Sequence, residues 1–108
     1  MTYSDALQNF VTLLQTAITA HNTKKFHSLN PPTVKVMPGR KYDRVILVDT
    51  SRCVYCFINR ETGGLLKGNW KRVEDERERG NIYNTNPLQG CNRYGLDYLN
   101  MSNVGYQF

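Results

Sequence analysis

Residues 41–49, KYDRVILVD, constrain the fold more than any other stretch of this chain. Val45, Ile46, Leu47 and Val48 are apolar at consecutive positions, so both alternating faces of a strand built from them are apolar. Such a strand belongs in the middle of a sheet, with cover on each side. The flanking sequence supplies the neighbours. TVKV (33–36) reads as a short strand, followed by a turn at Pro38 and Gly39. TSR then turns the chain into CVYCFI (53–58), a strand rich in β-branched and aromatic residues. NRETGG reverses direction again, with Gly63 and Gly64 offering positive φ, and LLKGNWK (65–71) is the return strand. Gly68 inside that strand predicts a bulge or the close approach of another backbone.

Ahead of the sheet, Leu7, Phe10, Val11, Leu14, Ala17, Ile18 and His21 recur at three- and four-residue steps, which predicts an amphipathic helix over 4–21. Thr2 or Ser4 can cap it, and Asp5 complements the helix dipole in the first turn. Gln8, Asn9, Thr12, Gln15, Thr16 and Thr19 make the other face polar but uncharged. That face is either ordinary solvated surface or a contact for another protein chain. NTKKFHSLNPPT reads as a connector, stopped by Pro31 and Pro32.

Beyond the hairpin the pattern changes. RVEDERERG alternates charge without an apolar stripe, so 72–80 reads as a charged loop or solvated helical turn. GNIYN offers a last short strand, and 84–108 is a Tyr/Asn-rich tail with a possible helical turn at YGLDYL. The whole is one α+β domain over 1–108: an N-terminal amphipathic helix packed on an antiparallel β-meander of three to five strands (sheet about 33–71), with an irregular C-terminal tail.

Several function classes lack the residues they need. No apolar run approaches the roughly 20 residues of a membrane span, and MTYSDALQNF has no secretory-signal pattern, so no membrane partner is expected. Three cysteines, an odd number, fit reduced thiols better than a disulfide framework. Cys53 and Cys56 form a CxxC pair inside a strand pattern, whereas a zinc knuckle needs a tight turn and a second ligand pair. Cys91, His21 and His27 do not provide one, so no metal or cofactor is expected. A redox role needs a helix after the first cysteine. His21 lies in the helix stripe and His27 in the connector, neither beside a nucleophile. Glu74, Asp75, Glu76 and Glu78 alternate with Arg77 and Arg79 as a self-neutralising run, and GGLLKG lacks phosphate-loop spacing. The chain is therefore expected not to be an enzyme.

The net charge of +5 favours polyanionic partners. Along the hairpin and its flanks lie Arg52, Arg60, Lys67, Lys71 and Arg72, with Tyr55, Phe57 and Trp70 interleaved. Cations contact phosphates and an exposed aromatic ring stacks a base. Alternation leaves a second reading open, in which the aromatics are core and Trp70 anchors the helix. The ordered set K41-Y42, C56-F57-I58-N59, T62-G63, L66-K67, W70-K71 and R79-G80-N81-I82 resembles short uncharacterised proteins of bacteriophages and large DNA viruses. The resemblance spans about 41–83; it departs in a shorter Lys67–Trp70 step and in the charged RVEDE after Lys71. It implies a viral origin, in the cytoplasm of an infected cell or in a virion. The expected function is nucleic-acid binding of weak sequence selectivity through Arg60, Lys67, Trp70, Lys71, Arg72 and Arg79. The alternative is a protein–protein module, or self-association, using the uncharged helix face and the tail.

Overall fold

The computed structural model describes residues 2–25, 30–92 and 95–96. Helix α1 runs Tyr3–Lys25, longer than the stripe alone predicts because no breaker follows His21 before the prolines. Thr2 caps it: its Oγ1 accepts the Asp5 N–H at 3.1 Å and its carbonyl accepts the Ala6 N–H at 2.9 Å. Ala6, Phe10, Leu14 and Ile18 form the buried row, with Tyr3, Leu7 and Val11 packed beside it.

Five strands follow as an antiparallel meander in sequence order: β1 Thr33–Met37, β2 Tyr42–Val48, β3 Arg52–Asn59, β4 Gly64–Gly68 and β5 Val73–Asn81. The helix covers one face of this sheet. There its buried row meets Val34, Val45, Tyr55, Cys56, Ile58 and Leu65, with Ile82 and Cys91 from the following segment. Each fully buried side chain of this kind contributes about 1.5–3 kcal/mol. Gln15, expected on the outward polar face, instead reaches the sheet edge. Its Oε1 accepts the Val34 N–H at 2.7 Å and its Nε2 donates to the Pro32 carbonyl at 3.0 Å, occupying groups that would otherwise template another strand.

Strand β3 does not alternate simply. Val45 pairs with Cys56 and Ile46 with Val54, so Tyr55 is an extra residue in a β-bulge. Tyr55 and Cys56 consequently both enter the helix-side core, and Phe57 is turned to the opposite face with Arg44. In the β3–β4 turn, Asn59 Oδ1 accepts the N–H groups of Glu61 (2.8 Å) and Thr62 (3.3 Å), and Gly63 takes φ 75°. Gly64 does not have positive φ; it begins β4, and its missing side chain leaves room for Glu78.

Residues 72–80 are not a loop. Val73–Asn81 form edge strand β5, and the return strand β4 ends at Gly68, with Asn69–Arg72 as the turn. An edge strand needs one hydrogen-bonded neighbour and no apolar face, so a charged sequence suits it. Its register jumps from Lys67↔Asp75 to Leu65↔Gly80, which bulges the intervening residues outward. Asp75 binds Arg77 through Nε (3.1 Å) and Nη2 (2.8 Å) and Arg79 through Nη2 (2.9 Å). The Arg77 bonds, with its charge, draw the Asp75 carboxyl down to about 2. Of the expected GNIYN strand, Gly80 and Asn81 close β5 and Ile82 enters the core. In the tail, Cys91–Asn92 (β6) and Gly95–Leu96 (β7) pair as a small hairpin; the rest of YGLDYL and the chain after it lie outside the described residues.

The two cysteines of the CxxC pair have different fates. Cys53 is exposed, while Cys56 is buried and its thiol is pushed well above its usual value, first by burial and then by Cys91. A thiol reagent should therefore label Cys53 rapidly in the native protein, and Cys56 and Cys91 only on unfolding. Peptide mapping of a labelling time course checks this; native labelling of Cys56 as fast as Cys53 would contradict the burial.

Candidate nucleic-acid interface

The face of the sheet opposite α1 is set by β2. Asp43, Val45 and Leu47 turn toward the helix, so Tyr42, Arg44 and Ile46 turn away. Register carries Lys35 (opposite Ile46) and Arg52 (opposite Val48) to the same face, both exposed. Ile46, Phe57 and Leu66 are buried there. Gly68 gives the Phe57 ring room beside β4, since a Cβ at that position would collide with it.

Arg44 organises this surface. Its guanidinium carbon lies 5.1 Å from the Phe57 ring centroid and 5.6 Å from that of Trp70. Its Nη2 donates to the Trp70 carbonyl at 2.9 Å, which ties the β4–β5 turn back onto β2. Cation–π contacts of this kind contribute about 0.5–2 kcal/mol each. Tyr42 meets Phe57 edge to face, with centroids 6.3 Å apart and planes at 78°, and Lys41 Nζ stands 5.3 Å from the Tyr42 centroid.

The turn itself is wired locally. Asn69 Oδ1 accepts the N–H groups of Lys71 (2.8 Å) and Arg72 (3.1 Å), its own N–H donates to the Arg72 carbonyl at 2.9 Å, and its Nδ2 donates to Glu74 Oε1 at 3.0 Å. This Asx geometry spends the backbone donors internally and leaves the side chains of Trp70, Lys71 and Arg72 outside. Trp70 is 44% exposed, so it is not the anchor beneath the helix.

Of the six residues expected at the site, the structure brings together Trp70, Lys71 and Arg72 and separates the other three. Arg60 donates to the Gly39 carbonyl at 2.7 Å, lies 3.5 Å from Asp43 and stacks 5.7 Å from the Tyr3 centroid. It belongs to the anchor that holds the start of α1. In that anchor the buried Asp43 carboxylate also accepts the Tyr3 hydroxyl at 2.7 Å and the Gly39 N–H at 3.2 Å. Burial, then the bond to Asp43, pushes the Tyr3 phenol well above its usual value. Lys67 is half-buried and alternates away from Leu66, opposite Asp75. The Arg79 side chain is 7% exposed and held by Asp75, with Nε and Nη1 buried, so it is turned into the fold and away from the exposed Trp70–Arg72 cluster. Arg44 went unseen in the sequence because the strand around it reads as doubly apolar. The one signal in the sequence is a cation at the position alternating with Ile46.

Compared with the curated proteins and with the solved structures, the chain matches none. A family model does match residues 2–97, which takes in α1, the whole meander and the small hairpin. The chain belongs to the DUF7717 family, a family of unknown function.

Proposed function

We propose that this protein is a small non-enzymatic nucleic-acid-binding protein that uses the sheet face opposite α1. The observation that carries this reading is Trp70, the sole tryptophan, held exposed on a turn beside Lys71 and Arg72 and backed by Arg44. Lys35 and Arg52 extend the positive surface across the sheet, so phosphate contacts supply affinity and flat geometry supplies little sequence readout. In this reading the activity belongs to an infected cell or a virion, on the strength of the resemblance across residues 41–83.

Lys71→Glu with Arg72→Glu tests it, because both side chains are exposed and neither supports the core. Fluorescence anisotropy of labelled DNA and RNA at low salt should show at least a tenfold loss of affinity with an unchanged melting temperature. Equal binding by the variant would sink the assignment of this face.

A protein-interaction reading is favoured by one observation, an open groove of about 570 Å³ along the flank of α1, lined by Val11, Thr12, Gln15, Thr16, Thr19 and Ala20. Thr16→Gln in its lining should leave nucleic-acid affinity unchanged if the sheet face is the functional one.

A further inference from the structure

Resting on the nucleic-acid reading above, we infer that the face takes an unpaired strand in preference to a duplex, with the indole of Trp70 stacked on one base. A base inside a duplex has both faces covered by its neighbours, so only an unpaired or extruded base can lie on an aromatic ring. Trp70 is built for that contact. The Arg44 guanidinium lies over the ring and its Nη2 holds the Trp70 carbonyl at 2.9 Å, so the main chain is anchored and the indole rests against a cation before any ligand arrives. Despite this cover the residue remains 44% exposed. A ring ordered in advance loses little conformational freedom on binding.

The surroundings fit a strand and do not fit a groove. The described helix lies on the other face of the sheet, so among the described residues no helix projects from this face into a major groove. Charge sets the path. Strand β5 borders the turn with exposed Glu74, Glu76 and Glu78, and its exposed cation Arg77 is already paired with Asp75, so the net charge on that side disfavours a phosphate backbone. Lys35 on β1 and Arg52 on β3 lie across the sheet in the other direction. A strand anchored at Trp70 with its phosphates on Lys71 and Arg72 therefore runs over β4, β3 and β2 toward β1. Three strand spacings cover roughly 14 Å. Four-stranded sheets that bind single strands stack two or three bases over a comparable width, and the same short footprint follows here.

Because Trp70 is the only tryptophan, its intrinsic fluorescence reads the contact directly. The full chain is titrated with a single strand of about a dozen nucleotides and with the same sequence as a blunt duplex, in DNA and in RNA, at low salt. The single strand should quench Trp70 and bind at least tenfold more tightly than the duplex. Trp70→Ala should cost about tenfold or more for the single strand, measured by anisotropy, and Trp70→Phe should recover part of it. Duplex binding of equal or greater affinity, without quenching, would overturn the strand preference while leaving the nucleic-acid reading in place. Absence of binding to either form would overturn both.

Discussion

Phe57→Ala should lower the unfolding free energy by about 3–5 kcal/mol and weaken the proposed nucleic-acid binding at the same time. The ring is 5% exposed, fills the space opened by Gly68, and is the floor on which Arg44 lies. Removing it leaves a cavity beside β4 and takes away one of the two rings that position the guanidinium. The Arg44–Trp70 arrangement should loosen with it, so the exposed indole loses its fixed orientation. Phe57→Leu separates the two effects. It keeps most of the buried volume and should cost less than about 1.5 kcal/mol, yet it still removes the aromatic floor. Denaturant unfolding measures the first quantity and anisotropy the second. A Phe57→Leu variant that binds like the wild type would show that the ring contributes packing alone.

Asp43→Ala should destabilise the fold by about 3 kcal/mol, with a drop in Tm of 10 °C or more. Its carboxylate is 3% exposed and satisfies the Tyr3 hydroxyl, the Gly39 N–H and Arg60 together. Truncation strands those donors at the junction between α1 and the β1–β2 turn. The same contact gives the fold an alkaline limit. The Tyr3 phenol titrates well above its usual 10.0 in the folded state. Its contribution is therefore fully present below pH 10.0 and is lost as pH rises through the folded value. Tyr3→Phe should flatten stability against pH in that alkaline range. An identical alkaline fall in Tyr3→Phe would assign the effect to another group.

Much of this architecture is legible in the sequence, and the places where it is not have physical causes. The four-step row Phe10, Leu14, Ile18 announces the helix, and the doubly apolar run Val45–Val48 announces an interior strand. Strand β5 hides because edge pairing is a backbone property, so its charged side chains leave no apolar period to read. The Tyr55 bulge hides for a different reason. One inserted residue exchanges the faces of everything after it, and only pairing with β2 reveals where the exchange occurs. That exchange sends Phe57 to Arg44 and makes the candidate site. Trp70 was ambiguous because counting alternation through Gly68 assumes the strand continues, whereas the chain turns at Asn69. Arg60 reads as a free cation because nothing local shows that Asp43 holds it, whereas the Asp75–Arg79 pair is already suggested by the alternating charges of 74–79.

The salt dependence of binding tests the central claim most directly. The affinity of the wild-type chain for a short labelled single strand is measured from low to physiological salt and plotted as log K against log salt. With Lys35, Arg52, Lys71 and Arg72 on phosphates, the slope should be about −2 to −3, and Lys71→Ala with Arg72→Ala should make it shallower by about 1.4. A flat line, or no binding at the lowest salt, would contradict the account.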